Sequence, residues 1–182
     1  MKKIVFLDRD GIINEDTGYV HKISDFKLKK NIITLLLELK NLNYEFIIIT
    51  NQSGIARGYF SETDLIKLHN HLLKILNKEG INILDIFYCP HHIDGVVPRY
   101  KLDCRCRKPN VGMIDKAIEK YPIDLNLSVL IGDKESDILA GFKKNIKTIL
   151  ISKNNFNSKA NLILDHLNVK LIITFIKQIH KF

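Results

Sequence analysis

Five short apolar runs punctuate the chain: KIVFL (3–7), EFIIIT (45–50), ILDIFYC (83–89), SVLIGD (128–133) and KTILIS (147–152). Each is short for a helix, rich in Ile, Val, Leu or Phe, and apolar at consecutive rather than alternate positions. That pattern predicts strands covered on both faces, as in a parallel sheet. Between the runs the period becomes helical. In 31–42, Ile32, Leu35, Leu36 and Leu39 share a side. The segment 61–80 opens at Ser61, an N-cap residue, and closes at Gly80, a helix stop. Patterns at 113–121 and 136–145 continue the alternation, and a weaker strand and helix at 169–180 are expected to finish it. Alternating elements predict a doubly wound, Rossmann-like α/β sheet, with 1–182 forming one domain.

Such a sheet carries its site outside the carboxyl ends of its strands. Three predicted strands end there in polar residues: Asp8 and Asp10, then Thr50 and Asn51, then Asp133 with Asp137 one helical turn on. Each group alone is weak, because an Asp-x-Asp also caps turns and a basic pair such as Arg107 and Lys108 is commonly solvated. Together they are specific. Carboxylates from two strand ends make an oxygen-rich pocket suited to Mg²⁺. The Thr50 hydroxyl, loop N–H groups, Arg107 and Lys108 can bind phosphoryl oxygens. One carboxylate can attack phosphorus while its neighbour manages the proton.

Composition narrows the setting. The chain has 182 residues, enough to bury a real core, with 46% hydrophobic and 26% charged residues, as in soluble globular proteins. The apolar run Ile4–Leu7 is far shorter than a signal-peptide core and no run reaches a membrane span, so a cytoplasmic protein without membrane contact is expected. The net charge of +8 raises nucleic acid as a partner. The lysines are dispersed, however, without a basic block. The charge reads as background composition and a general attraction for phosphorylated substrates, with no nucleic-acid partner. No helix presents an obvious unpaired apolar face, so a monomer is expected.

All three cysteines fall in one stretch, CPHHIDGVVPRYKLDCRCRKP (89–109). Three thiols cannot pair completely, and a reducing compartment disfavours disulfides. Cys89 with His91 or His92, then Cys104 and Cys106, supply four ligands, the count of a closed Cys₃His zinc site. Spacing alone accepts either histidine. With no position left for water, the zinc is structural. The loop has little apolar material of its own, and Arg107 and Lys108 follow Cys106 directly. Zinc would therefore clamp the loop and hold Lys108 over the strand ends.

The ordered set FLDRDG, IIITNQSG, RKP and LIGDKESD resembles the haloacid dehalogenase superfamily of phosphatases. The longer stretches FLDRDGIIN, GYV, TNQSGIARG, CPHH and CRCRKPNVGM are similar to the D-glycero-D-manno-heptose 1,7-bisphosphate 7-phosphatase family and the related histidinol-phosphate phosphatases. The resemblance extends to about residue 152. It implies that Asp8 is the nucleophile, forming an aspartyl-phosphate, and that Asp10 protonates the leaving sugar oxygen and then activates water. Thr50 and Lys108 would stabilise the transferring phosphoryl group. Asp8, the Asp10 carbonyl and Asp133 would hold Mg²⁺, and Cys89, His91, Cys104 and Cys106 would hold zinc. Asp16, Thr17, Gly18, Tyr19, Asn51, Gln52, Ser53, Arg107 and Lys134 would meet the substrate, a small phosphorylated sugar. The zinc-binding loop 89–108 would stand in for a separate cap domain. One departure is Ile12, where the family usually has threonine. Competing expectations are a histidinol-phosphate phosphatase, a polynucleotide 3′-phosphatase and an inactive zinc-stabilised module.

Overall fold

The computed structural model describes residues 1–153 and 157–179. Its strands are β1 (Lys3–Leu7), β2 (Tyr44–Asn51), β3 (Ile83–Cys89), β4 (Val129–Gly132), β5 (Lys147–Ile151) and β6 (Leu162–Leu164). Its α-helices are α1 (Ile32–Asn41), α2 (Glu62–Lys78), α3 (Gly112–Lys120), α4 (Glu135–Lys143) and α5 (Val169–Ile179). The strands form one sheet in the order β3-β2-β1-β4-β5-β6, with every neighbouring pair parallel. That order reverses direction between β1 and β4, the crevice where open parallel sheets place their ligands.

The two-residue period of a strand distributes the core. Val5, Leu7, Phe46 and Ile48 face one side, where they join residues of α1, α2 and α5. Ile4, Phe6, Ile47 and Ile49 face the other and pack with Met113, Ile114 and Ala117 of α3 and Ala140 of α4. Double winding is thus written into the consecutive apolar positions of the central strands. Edge strand β3 departs from the expectation. Its residues 84–88 are only half-buried, because it has one neighbour rather than two.

Helix α2 begins as its sequence implies: the Ser61 hydroxyl accepts from the Asp64 N–H while the Asp64 carboxylate accepts from the Ser61 N–H. Gly80, just beyond its end, has a φ of 71°. The final strand lies earlier than expected, at Leu162–Leu164, and 169–179 is entirely helical. Three residues against one strand of the sheet give too short an apolar run to stand out from its surroundings. Residue 180, the last of the expected helix, lies outside the described residues.

Candidate active site

Asp8 and Asp133 follow the two strands that flank the switch point, β1 and β4. The Asp8 N–H donates to the Ile131 carbonyl at 3.0 Å, which ties the first loop to β4. Gly11 then turns the chain with a φ of 86°, and a Cβ there would stand 2.3 Å from Asp133 Oδ2. Close approach of the two strand ends therefore requires glycine in this loop. Ile12 does not enter the site; it is fully buried in the main apolar cluster.

Ligand atoms of Asp8, Asp133 and Asp137 lie within 4.8 Å of one another. Oδ1 of Asp133 is buried without a hydrogen-bond partner. Burial, then the neighbouring Asp8 and Asp137, push Asp133 up to about 7 despite the cation of Lys134. Burial also raises Asp8, against the lowering effect of Lys108. Crowded, under-satisfied carboxylates of this kind are the donor set of a hard cation. The Asp10 carboxylate is not in this group; in the sequence-based expectation that residue contributes its carbonyl.

Lys108 reaches the same point from the other side. It is buried, and its Nζ lies 3.0 Å from Asp8 Oδ1 and 2.5 Å from Asp137 Oδ1 while donating to the Ile49 carbonyl at 2.7 Å. Burial opposes its charge, but Asp137 and Asp8 prevail and hold its pKa above the ordinary lysine value. Asn51 fixes the backbone behind it: Lys108 N–H donates to Asn51 Oδ1, and Asn51 Nδ2 donates to the Lys108 carbonyl, both at 3.0 Å.

Asp10 lies beside Thr50 and Gln52. Gln52 Nε2 donates to Asp10 Oδ2 at 2.9 Å and to Thr50 Oγ1 at 2.8 Å. Arg9 pairs with the same carboxylate at 2.9 Å. A cavity of about 330 Å³ opens next to Asp10 and Lys108. Asp16, Gly18 and Tyr19 line one part of it; Asn51, Gln52, Ser53, Arg107 and Lys134 line the rest. Thr17 is exposed and is not among the lining residues. Lys134 Nζ donates to Asp16 Oδ2 at 3.2 Å. Burial raises Asp16, but the Gly18 N–H and Lys134 outweigh it and leave its pKa lowered.

The cysteine segment converges on a point of its own. Sγ of Cys89, Cys104 and Cys106 are 3.0–3.4 Å apart, and His91 Nδ1 lies 3.3 Å from Cys106 Sγ and 3.8 Å from Cys89 Sγ. His92 turns away, towards Arg57 at 3.4 Å. Four metal-binding groups thus lie close enough around one position to hold a metal ion, and the three cysteines also pack against the apolar cluster beneath α3. Contact with Cys106, then burial, raises Cys89; Cys106 falls to about 5, first through Cys89 and then, against burial, through His91.

Sequence reasoning missed the weight of Asp137, Arg9 and His69. Asp137 had a signal, four residues after Asp133 at the start of a helix. Arg9 and His69 had none: both are buried, at 0% and 6% exposure, where sequence alone assigns such residues to the surface.

A carboxylate at the switch point, a second carboxylate two residues on, a hydroxyl and a buried lysine have the arrangement of a phosphatase of the haloacid dehalogenase type. A HAD-hydrolase-like family model matches residues 105–169. A curated relative from Photorhabdus laumondii, D-glycero-alpha-D-manno-heptose-1,7-bisphosphate 7-phosphatase, is 50% identical over 83% of this chain and 82% of its own. One from Haemophilus influenzae, named for the beta anomer, is 46% identical over 81% and 79%. The chain belongs to this heptose-bisphosphate phosphatase family of HAD-like hydrolases. Its fold is also that of the D,D-heptose 1,7-bisphosphate phosphatase of B. bronchiseptica, solved with magnesium and phosphate: TM-score 0.81 at 24% identity, covering 97% of this chain and 98% of the other.

Proposed function

We propose that the chain removes the 7-phosphate of D-glycero-D-manno-heptose 1,7-bisphosphate, with Mg²⁺ as catalytic cofactor, in the synthesis of nucleotide-activated heptose for surface glycans. The observation that carries this reading is the meeting of Asp8, Asp133, Asp137 and Lys108 at the switch point, beside a cavity fit for a small sugar. An Asp8 oxygen attacks phosphorus, the bond from phosphorus to the sugar oxygen breaks, and its electron pair stays on that oxygen, which takes a proton from Asp10. Water then attacks the aspartyl-phosphate, Asp10 takes its proton, and Asp8 departs as carboxylate. Lys108 and Thr50 bind the phosphoryl oxygens as charge spreads over them. Asp8 and Asp133, with the Asp10 carbonyl and Asp137 nearby, would hold Mg²⁺, which when bound neutralises phosphoryl charge.

Zinc in the Cys89, His91, Cys104 and Cys106 set fits the donor chemistry and keeps a structural role. The three Sγ atoms, 3.0–3.4 Å apart, would open slightly to take a tetrahedral zinc at about 2.3 Å from each sulfur. The three free cysteines also support a cytoplasmic setting. Among the described residues, no helix is long and apolar enough to cross a membrane. Arg107 and Lys134 supply positive charge for the sugar phosphate, Asp16 accepts from sugar hydroxyls, and the chain acts as a single-domain monomer.

Phosphate release with Mg²⁺ tests the reading, comparing both anomers of the heptose bisphosphate with histidinol phosphate and a 3′-phosphorylated oligonucleotide. A heptose anomer should be turned over best. Preference for either other compound would replace the substrate. Asp8→Asn should abolish turnover with the fold intact by circular dichroism; turnover retained in that variant would remove Asp8 as nucleophile.

A further inference from the structure

Arg9 is the most conspicuous buried charge that the steps above leave unused. Its side chain is fully buried, and an isolated guanidinium there would be very costly. Three partners from separate parts of the chain surround it. Its Nη2 donates to Asp10 Oδ1 and Oδ2 at 3.0 and 2.9 Å, with Nε on Oδ1 at 3.2 Å. Nη2 also donates to the Val20 carbonyl at 2.7 Å, and Nη1 meets His69 Nε2 at 3.2 Å. A guanidinium only donates, so His69 Nε2 is the acceptor and its ring proton sits on Nδ1.

We propose that Arg9 is a positioning residue for the acid–base step: seated on His69 of α2 and the Val20 carbonyl, it sets the orientation in which the Asp10 carboxylate meets the leaving oxygen. The inference rests on the acid–base role given to Asp10 above. Its frame is independent of that carboxylate. His69 and Val20 belong to a helix and a loop that hold the guanidinium from behind, so Arg9 presents a fixed fork. Asn14 Nδ2 at 3.0 Å on Oδ1 and Gln52 Nε2 at 2.9 Å on Oδ2 complete the grip. Gln52 also carries the register to Thr50, through the same amide nitrogen. Asp10 stands at the edge of the cavity with its side chain 15% exposed, where an untethered carboxylate would sample several rotamers. A displacement of about 1 Å at such a group can cost about a hundredfold in rate.

A plain counter-ion would serve the fold and nothing else, and the leaving group separates the two roles. An alkoxide leaves poorly and needs the proton from Asp10; an aryl oxide leaves well without it. Single-turnover cleavage of the heptose bisphosphate and of p-nitrophenyl phosphate would be followed by rapid quench in wild type, Asp10→Asn, Arg9→Lys, His69→Leu and His69→Gln. Arg9→Lys keeps the buried charge but loses the fork. It should slow sugar cleavage by about tenfold to a hundredfold, leave KM nearly unchanged, and leave the first release of nitrophenolate close to wild type. His69→Leu should follow the same pattern in weaker form, and His69→Gln, which restores an acceptor, should recover the sugar rate. Equal slowing of both substrates by Arg9→Lys, or no slowing of either, would overturn the positioning role. Arg9→Lys decides this even if His69→Leu fails to fold. Equal loss on both substrates in Asp10→Asn would instead refute the acid–base role on which the inference stands.

Discussion

Lys108 concentrates the physics of the site in one side chain. Its ammonium is buried between Asp8 and Asp137, so each charge repays part of the others' desolvation. Removing the cation leaves two carboxylates buried together. In the metal-free protein, Lys108→Met should lose about 3–5 kcal/mol of stability, a fall of about 10 °C in melting temperature. Differential scanning calorimetry in the presence of a chelator checks this; an unchanged melting point would mean that the carboxylates are relieved by another route. Asp8, Asp10 and Thr50 were legible as residues because polar groups directly after apolar strands have few structural reasons to be there. The double amide bond from Asn51 to the Lys108 backbone was not legible, since the two are 57 positions apart and meet only through the fold.

At the scale of elements, the segment from 90 to 111 matters most. Among its described residues, regular structure is limited to the turn Pro98–Tyr100, which packs Tyr100 against Ile55, Ala56 and Phe60. Val97 packs beside it while Ile93, Val96 and Leu102 are exposed, so the four metal-binding side chains and the Asn51 bonds tether the end that carries Lys108. Cys104→Ser should therefore lower zinc to well below one per chain by mass spectrometry. It should also speed hydrogen exchange across 90–108 and reduce phosphate release, with β1 and β4 still protected. Full zinc content with unchanged exchange would defeat the clamp. The strands and helices themselves were largely readable, because runs of consecutive apolar residues and 3.6-residue stripes report burial directly. Edge position was not: β3 has the same composition as a central strand, and only its place in the sheet leaves it half-covered.

Across the whole molecule, topology decides where charge accumulates. The order β3-β2-β1-β4-β5-β6 brings loops 125 residues apart to one crevice and sets Asp8 against Asp133. With Asp133 raised to about 7 in the metal-free protein, the folded state holds a proton that the unfolded state gives up near 3.8. More protons bound in the folded state mean that this group's contribution to stability falls as pH rises from about 4 to 7. A bound Mg²⁺ reverses the balance by favouring the carboxylate. With Asp8 also raised by burial, magnesium binding should thus release more protons at pH 6, where Asp133 contributes close to one, than at pH 8, and affinity should weaken as pH drops below 7. Calorimetric titration in buffers of different ionisation enthalpy measures the proton count; equal release at both pH values would reject the assignment. What the chain's order of residues determined by itself was the alternation of elements, the two-faced sheet and the polar side chains at strand ends, because these depend on local period and on neighbours in sequence. Only the tertiary structure decided that Asp137 closes the carboxylate group, that His91 rather than His92 turns to the thiols, and that Arg9 and His69 lie buried behind Asp10. Those facts depend on which distant segments meet, and burial of charge is stable only where such partners arrive from elsewhere in the fold.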